Sequence, residues 1–72
     1  MTACEVRING KTVARCECIA DAMAVARGYG VSFHSDDIEK LYRTVPAGYG
    51  ASAIYRLYDL RLLEIVNVKR RQ

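Results

Sequence analysis

Cys4, Cys16, Cys18 and His34 together have the ligand chemistry of a zinc site. Spacing argues against one. Two thiolates on a tetrahedral zinc lie about 3.8 Å apart, whereas a Cys-x-Cys pair in a regular strand stands about 6.6 Å apart, twice the rise per residue. Cys16 and Cys18 converge only where a strand ends and turns. The thiols are therefore read as small buried hydrophobes, with no metal or other cofactor expected. A Cys4–Cys16 disulfide between neighbouring strands remains open. The odd cysteine count leaves one thiol over, which favours a reducing, cytoplasmic compartment.

His34 is the only histidine, and a catalytic dyad would need it beside a cysteine or Ser35, oriented by Asp36 or Asp37. Ser35-Asp36-Asp37 before an apolar run is also how a helix begins, and the acids suit its positive end without a bound cation. Gly48-Tyr49-Gly50 is similar to phosphate-cradling loops in its glycines, but the full Walker and dinucleotide patterns are missing. No residue set commits the chain to catalysis, and no enzyme is expected.

Five tyrosines and eight arginines among 72 residues are more informative, because tyrosine and arginine combine contact area with polar reach at binding hot spots. Tyr42 and Tyr58 fit core stripes, while Tyr29, Tyr49 and Tyr55 are expected outside. From Tyr49 onward Arg56, Arg61, Lys69, Arg70 and Arg71 face only Asp59 and Glu64, a surplus equal to the net charge of +3. Tyr49, Tyr55, Arg56, Arg61, Lys69, Arg70 and Arg71 are accordingly the expected partner-binding residues.

The elements that must position them begin with a β-hairpin, two alternating runs around Asn9-Gly10. A two-residue Asn9-Gly10 turn pairs Val6 with Val13 and puts Cys4 and Val6 on one face with Lys11, Arg15 and Glu17. A three-residue loop, Ile8-Asn9-Gly10, pairs Val6 with Thr12 and Cys4 with Ala14. It gathers Cys4, Val6, Thr12, Ala14, Cys16 and Cys18 on one face, so that register is preferred. Ile19, Ala22, Met23 and Ala26 predict a helix to Arg27, ended by Gly28 and Gly30. Val31 to His34 reads as a connector or short strand. A second helix, capped by Ser35 or Asp36 with Asp36 and Glu39 at capping-box spacing, buries Ile38, Leu41, Tyr42 and Val45 and stops at Pro46. Residues 51–60 read as a third helix, with two strands turning at Asp59-Leu60 as the alternative. Leu62 to Lys69 is a strand. The expected fold is thus α+β, a single domain over residues 1–72 with an N-terminal hairpin, two or three helices and a C-terminal strand, in the order ββα(β)ααβ.

Helix, turn, helix and strand from Asp36 to Arg71 resembles the second half of a winged helix-turn-helix, with Ala53-Ile-Tyr-Arg-Leu-Tyr-Asp-Leu60 as recognition helix. That resemblance implies nucleic-acid binding, with Ser52, Tyr55 and Arg56 facing DNA and Lys69, Arg70 and Arg71 on phosphates. The composition is that of a folded globule, half apolar and a quarter charged, with no run able to span a bilayer and no secretion signal. The expected function is a non-enzymatic module that binds a larger protein or nucleoprotein complex and occludes its surface. Inhibitors that phages and mobile elements direct against host machinery, anti-CRISPR proteins included, are one such class. A monomer, or a homodimer joined at an exposed edge of the hairpin or of the last strand, is expected.

Overall fold

A computed structural model describes residues 2–70 of the chain. Strands β1 (Cys4–Ile8) and β2 (Lys11–Cys16) lead into helices α1 (Ile19–Gly28) and α2 (Ser35–Thr44). A single 3-10 turn, Val45–Ala47, precedes β3 (Ser52–Arg56) and β4 (Leu62–Asn67). The four strands form one antiparallel sheet in the order β2-β1-β4-β3. The order is ββααββ. The C-terminal strand is therefore a central one, paired on both sides, and the edges belong to β2 and β3.

The three-residue loop and its pairs Val6–Thr12 and Cys4–Ala14 do not form, and the inward face expected for Cys4, Val6, Ala14 and Cys16 is reached by another route. Asn9 (φ 49) and Gly10 (φ 83) make the two-residue turn, with Ile8 opposite Lys11. A bulge at Val13 then lets Arg7 face Thr12 while Val6 faces Ala14 and Cys4 faces Cys16. The extra residue shifts the side-chain alternation by one, so Cys4, Val6, Ala14 and Cys16 still point to the core. Thr12 does not: its hydroxyl donates to Glu5 Oε1 at 3.1 Å on the opposite face. Cys18 is exposed, at the N-cap of α1.

Both helices cover one face of the sheet. Ala22 and Ala26 are fully buried, and their lack of bulk lets α1 lie close on β1 and β2. Its C-terminus is a Schellman turn, with Gly30 at φ +98 and the Val31 amide donating to Ala26 O at 3.1 Å. Residues 31–34 form a connector with no strand. α2 starts one residue earlier than its acids suggest. The cap is His34, whose amide donates to Asp37 Oδ2 at 3.2 Å, in place of the Asp36–Glu39 pair. Leu41 and Val45 enter the core with Val6, Leu63 and Ile65, whereas Tyr42 turns to solvent.

Residues 51–60 are not a helix. Ala53, Tyr55 and Leu57 face the core cluster and Ser52, Ile54 and Arg56 face away, the period of two that belongs to a strand. The recognition helix that the winged-helix resemblance requires is therefore not formed. The turn that permits the strand is made by a residue with poor turn chemistry: Leu60 sits at φ 72.

Candidate partner-binding surface

The β3–β4 hairpin ends in a tight loop. The Leu60 amide donates to Leu57 O at 3.0 Å and the Leu57 amide to Arg61 O at 2.8 Å, closing residues 57–61 over the buried Leu57 side chain. Asp59 fastens the loop, accepting from the Arg61 amide at 3.2 Å and from Arg61 Nε at 2.7 Å. The Arg61 amide bond, followed by the guanidinium, holds the Asp59 carboxyl below its ordinary pKa.

Left-handed backbone at a leucine costs about 1–2 kcal/mol, since its Cβ crowds the following carbonyl. Its side chain recovers nothing from the core. Leu60 is 68% exposed, and Tyr58 beside it is 105% exposed, as open as in an isolated peptide. Ile54 and Leu62, also exposed, lie on the sheet face away from the helices as diagonal neighbours, Ile54 opposite Glu64 and Leu62 opposite Arg56. Four exposed large apolar residues thus share one hairpin, with Arg56 opposite Leu62 and Arg61 following Leu60.

The expected partner-binding residues separate into two patches. Arg56 and Arg61 belong to the loop end of the hairpin, where the Arg61 guanidinium lies 6.0 Å from the ring centre of Tyr29. Tyr49, Lys69 and Arg70 gather at the other end. There the Arg70 guanidinium stacks 4.8 Å from the Tyr49 ring and its Nη2 donates to the Tyr49 hydroxyl at 3.4 Å. The five-residue strand between them spans about 13 Å. Arg71 lies outside the described residues.

Tyr55 is a correction. It points to the helix side, half-buried, with its ring edge-on to Phe33 at 5.2 Å, and Phe33 carries the Arg27 guanidinium at 5.4 Å. Burial, and then the charge of Asp37, push its phenol pKa up. Tyr58 is the converse, expected in a core stripe and found outside. Ile54, Leu60 and Leu62 are exposed as well, although isolated apolar residues in a sequence read as core. The signal available was Asp59 two residues before Arg61, the spacing of an Asx-type turn.

Elsewhere among the described residues, no buried side-chain nitrogen or oxygen lacks a hydrogen-bond partner. On the helix-free face Glu5 accepts from Arg7 Nη2 at 3.0 Å, from Thr12 and from Arg15 Nε at 3.4 Å; the Arg7 hydrogen bond is the main cause of its lowered pKa. Cys4 and Cys16 are free, buried thiols directly opposite each other, and burial raises the Cys4 pKa to about 11. Among the described residues no group of three His, Cys, Asp or Glu side chains is gathered to hold a metal ion, and no helix is long and apolar enough to cross a membrane. No family model, curated protein or solved structure matches the chain.

Proposed function

We propose that this protein is a non-enzymatic binding module that docks on a larger protein through the loop end of the β3–β4 hairpin and acts by covering the surface it binds. The observation that carries this reading is Leu60: its backbone is held in a costly conformation while its side chain stands in water, so the residue gives the fold no burial energy and presents an apolar group at the loop tip. Tyr58 and Leu60 supply the apolar anchor, and Arg56 and Arg61 supply a cationic rim, an arrangement suited to an apolar pocket bordered by carboxylates. Tyr49 and Arg70 form a second contact patch of the same chemistry.

The test is affinity capture from the native host with the wild-type chain, Tyr58→Ala and Tyr42→Ala, the last an exposed tyrosine on α2, outside the 57–61 loop. The expected result is a defined partner retained by wild type and Tyr42→Ala and reduced at least tenfold by Tyr58→Ala, a loss of about 1.4 kcal/mol or more. Equal capture by all three would overturn the reading. Binding of duplex or single-stranded DNA that weakens steeply with salt would place the chain among nucleic-acid binders instead.

A further inference from the structure

The two edges of the sheet are built differently. β2 carries the defences of a solitary edge: a bulge at Val13 and the long charged side chains Lys11 and Arg15. β3 has no bulge, no proline and no charge before Arg56. Its outward backbone is also free. Ala51 O accepts from Asn67 N and Leu57 N donates to Arg61 O, so the alternation between them turns Ala53 and Tyr55 toward β4. Ser52, Ile54 and Arg56 direct their amides and carbonyls away from the sheet, and no backbone partner meets them among the described residues. A groove of ≈ 380 Å³ runs beside this edge, between β3 and Asp37, Lys40 and Thr44 of α2.

We infer that β3 pairs antiparallel with β3 of a second copy, about a two-fold axis at Ile54, to give a homodimer with one continuous eight-stranded sheet. The strand is complementary to itself in that register. Ile54 meets the partner's Ile54, covering a side chain that is 59% exposed in one chain. Ser52 meets the partner's Arg56, so no like charges stand directly opposite along the strand. Ala53 meets the partner's Tyr55, a small residue across from a large one in the closer, non-hydrogen-bonded pairing. The three outward residues of each strand fall in hydrogen-bonded pairs, giving roughly six N–H···O bonds across the seam. Past Arg56 the chain continues beside the partner's Gly50, which brings Tyr58 toward the partner's Tyr49. The patches that stand apart in one chain thus become neighbours across two. The pairing itself does not depend on the partner-binding reading.

A five-residue seam is a small interface, so the dimer forms in the upper part of a concentration series from about 1 µM to about 1 mM. Light scattering should give a mass rising from 8.1 kDa to twice that. Amide exchange at Ser52, Ile54 and Arg56 should slow at least about tenfold over the same range, while Val13 amide exchange stays unchanged. Ile54→Pro removes one outward N–H at a position where an edge strand tolerates proline, and should remain at 8.1 kDa throughout with an unchanged circular dichroism spectrum. A monomeric mass at the highest concentration overturns the inference. So does a dimer in which the Ser52, Ile54 and Arg56 amides exchange as they do in dilute solution, a measurement on the wild-type chain that holds even where Ile54→Pro does not fold. Neither result bears on capture by the Tyr58 loop.

Discussion

Asp59 holds Arg61 at two points, accepting its backbone amide at 3.2 Å and its Nε at 2.7 Å, and this double contact closes a turn in which Leu60 takes a left-handed conformation. Fixing the loop and straining it are therefore the work of adjacent residues. A glycine would supply the same backbone without the Cβ penalty.

The first prediction separates stability from binding at that position. Leu60→Gly should raise stability by about 1 kcal/mol, because the left-handed penalty disappears and no buried contact is lost. Urea unfolding reads this as a higher midpoint with an unchanged slope. The same variant should bind its partner at least tenfold more weakly. A lower midpoint would mean that the Leu60 side chain stabilises the hairpin.

The helix-free face yields a pH prediction. Glu5 is hydrogen-bonded by Arg7, Thr12 and Arg15, and its pKa in the folded chain lies below the ordinary 4.5. A lowered acid contributes stability above its unfolded pKa and loses it as pH falls through the folded value. Glu5→Gln should therefore melt at a lower temperature than wild type at pH 7. The gap should narrow steadily below about pH 4.5. A gap that persists unchanged to the acid limit would assign the effect to packing instead of charge.

Removing the extra residue of β2 tests its role as an edge guard. In the observed register Thr12 already faces Arg7 and Ala14 already faces Val6. Deleting Val13 joins those pairs into a regular ladder without moving any core side chain to the other face. The variant should keep its far-ultraviolet circular dichroism and thermal transition, yet present a flat edge that associates. Sedimentation at rising concentration should show larger species than wild type forms. An unfolded deletion variant would show that the bulge is required for the turn geometry, not for edge protection.

Much of this fold is legible in the sequence. Asn9-Gly10, the alanines of α1, the Ser-Asp-Asp start of α2 and the Leu62–Asn67 run each carry a local signal strong enough to name their element. The segment after Gly50 does not. Ile54, Leu57 and Tyr58 are spaced like a helix stripe, while Ala53, Tyr55 and Leu57 are spaced like a strand face, and so short a run satisfies both. Pairing with β4 decides it, and that is tertiary information. The bulge at Val13 was hidden for a related reason. Only the need to bury Cys4 and Val6 together with Ala14 and Cys16 demands it, and in sequence a changed loop length meets the same need equally well. For the surface, the arginines and Tyr49 were legible because charge and loop position mark exposure. Tyr58 and Leu60 were not, since nothing local says that an apolar residue stays outside.

The thiols give the remaining prediction, and its direction is opposite to that of Glu5. Cys4 and Cys16 are buried in the core, and burial is the first cause of both raised pKa values, with Cys4 reaching about 11 from 9.0. A thiol whose folded pKa is raised contributes stability that is intact below its unfolded pKa and lost as pH climbs through the folded one, because the unfolded chain releases the proton first. Wild type should therefore lose stability between about pH 8.5 and pH 11 more steeply than Cys4→Ala. The Cys4→Ala chain starts lower at pH 7, because a buried sulfur is removed, but its curve is flatter. Thiol titration gives an independent check. With an aromatic disulfide reagent at pH 8, Cys18 should react promptly in the folded protein and the other two thiols only on unfolding, because an exposed thiol reaches the reagent and a buried, protonated one does not. Prompt reaction of all three would mean that the hairpin does not close over Cys4 and Cys16.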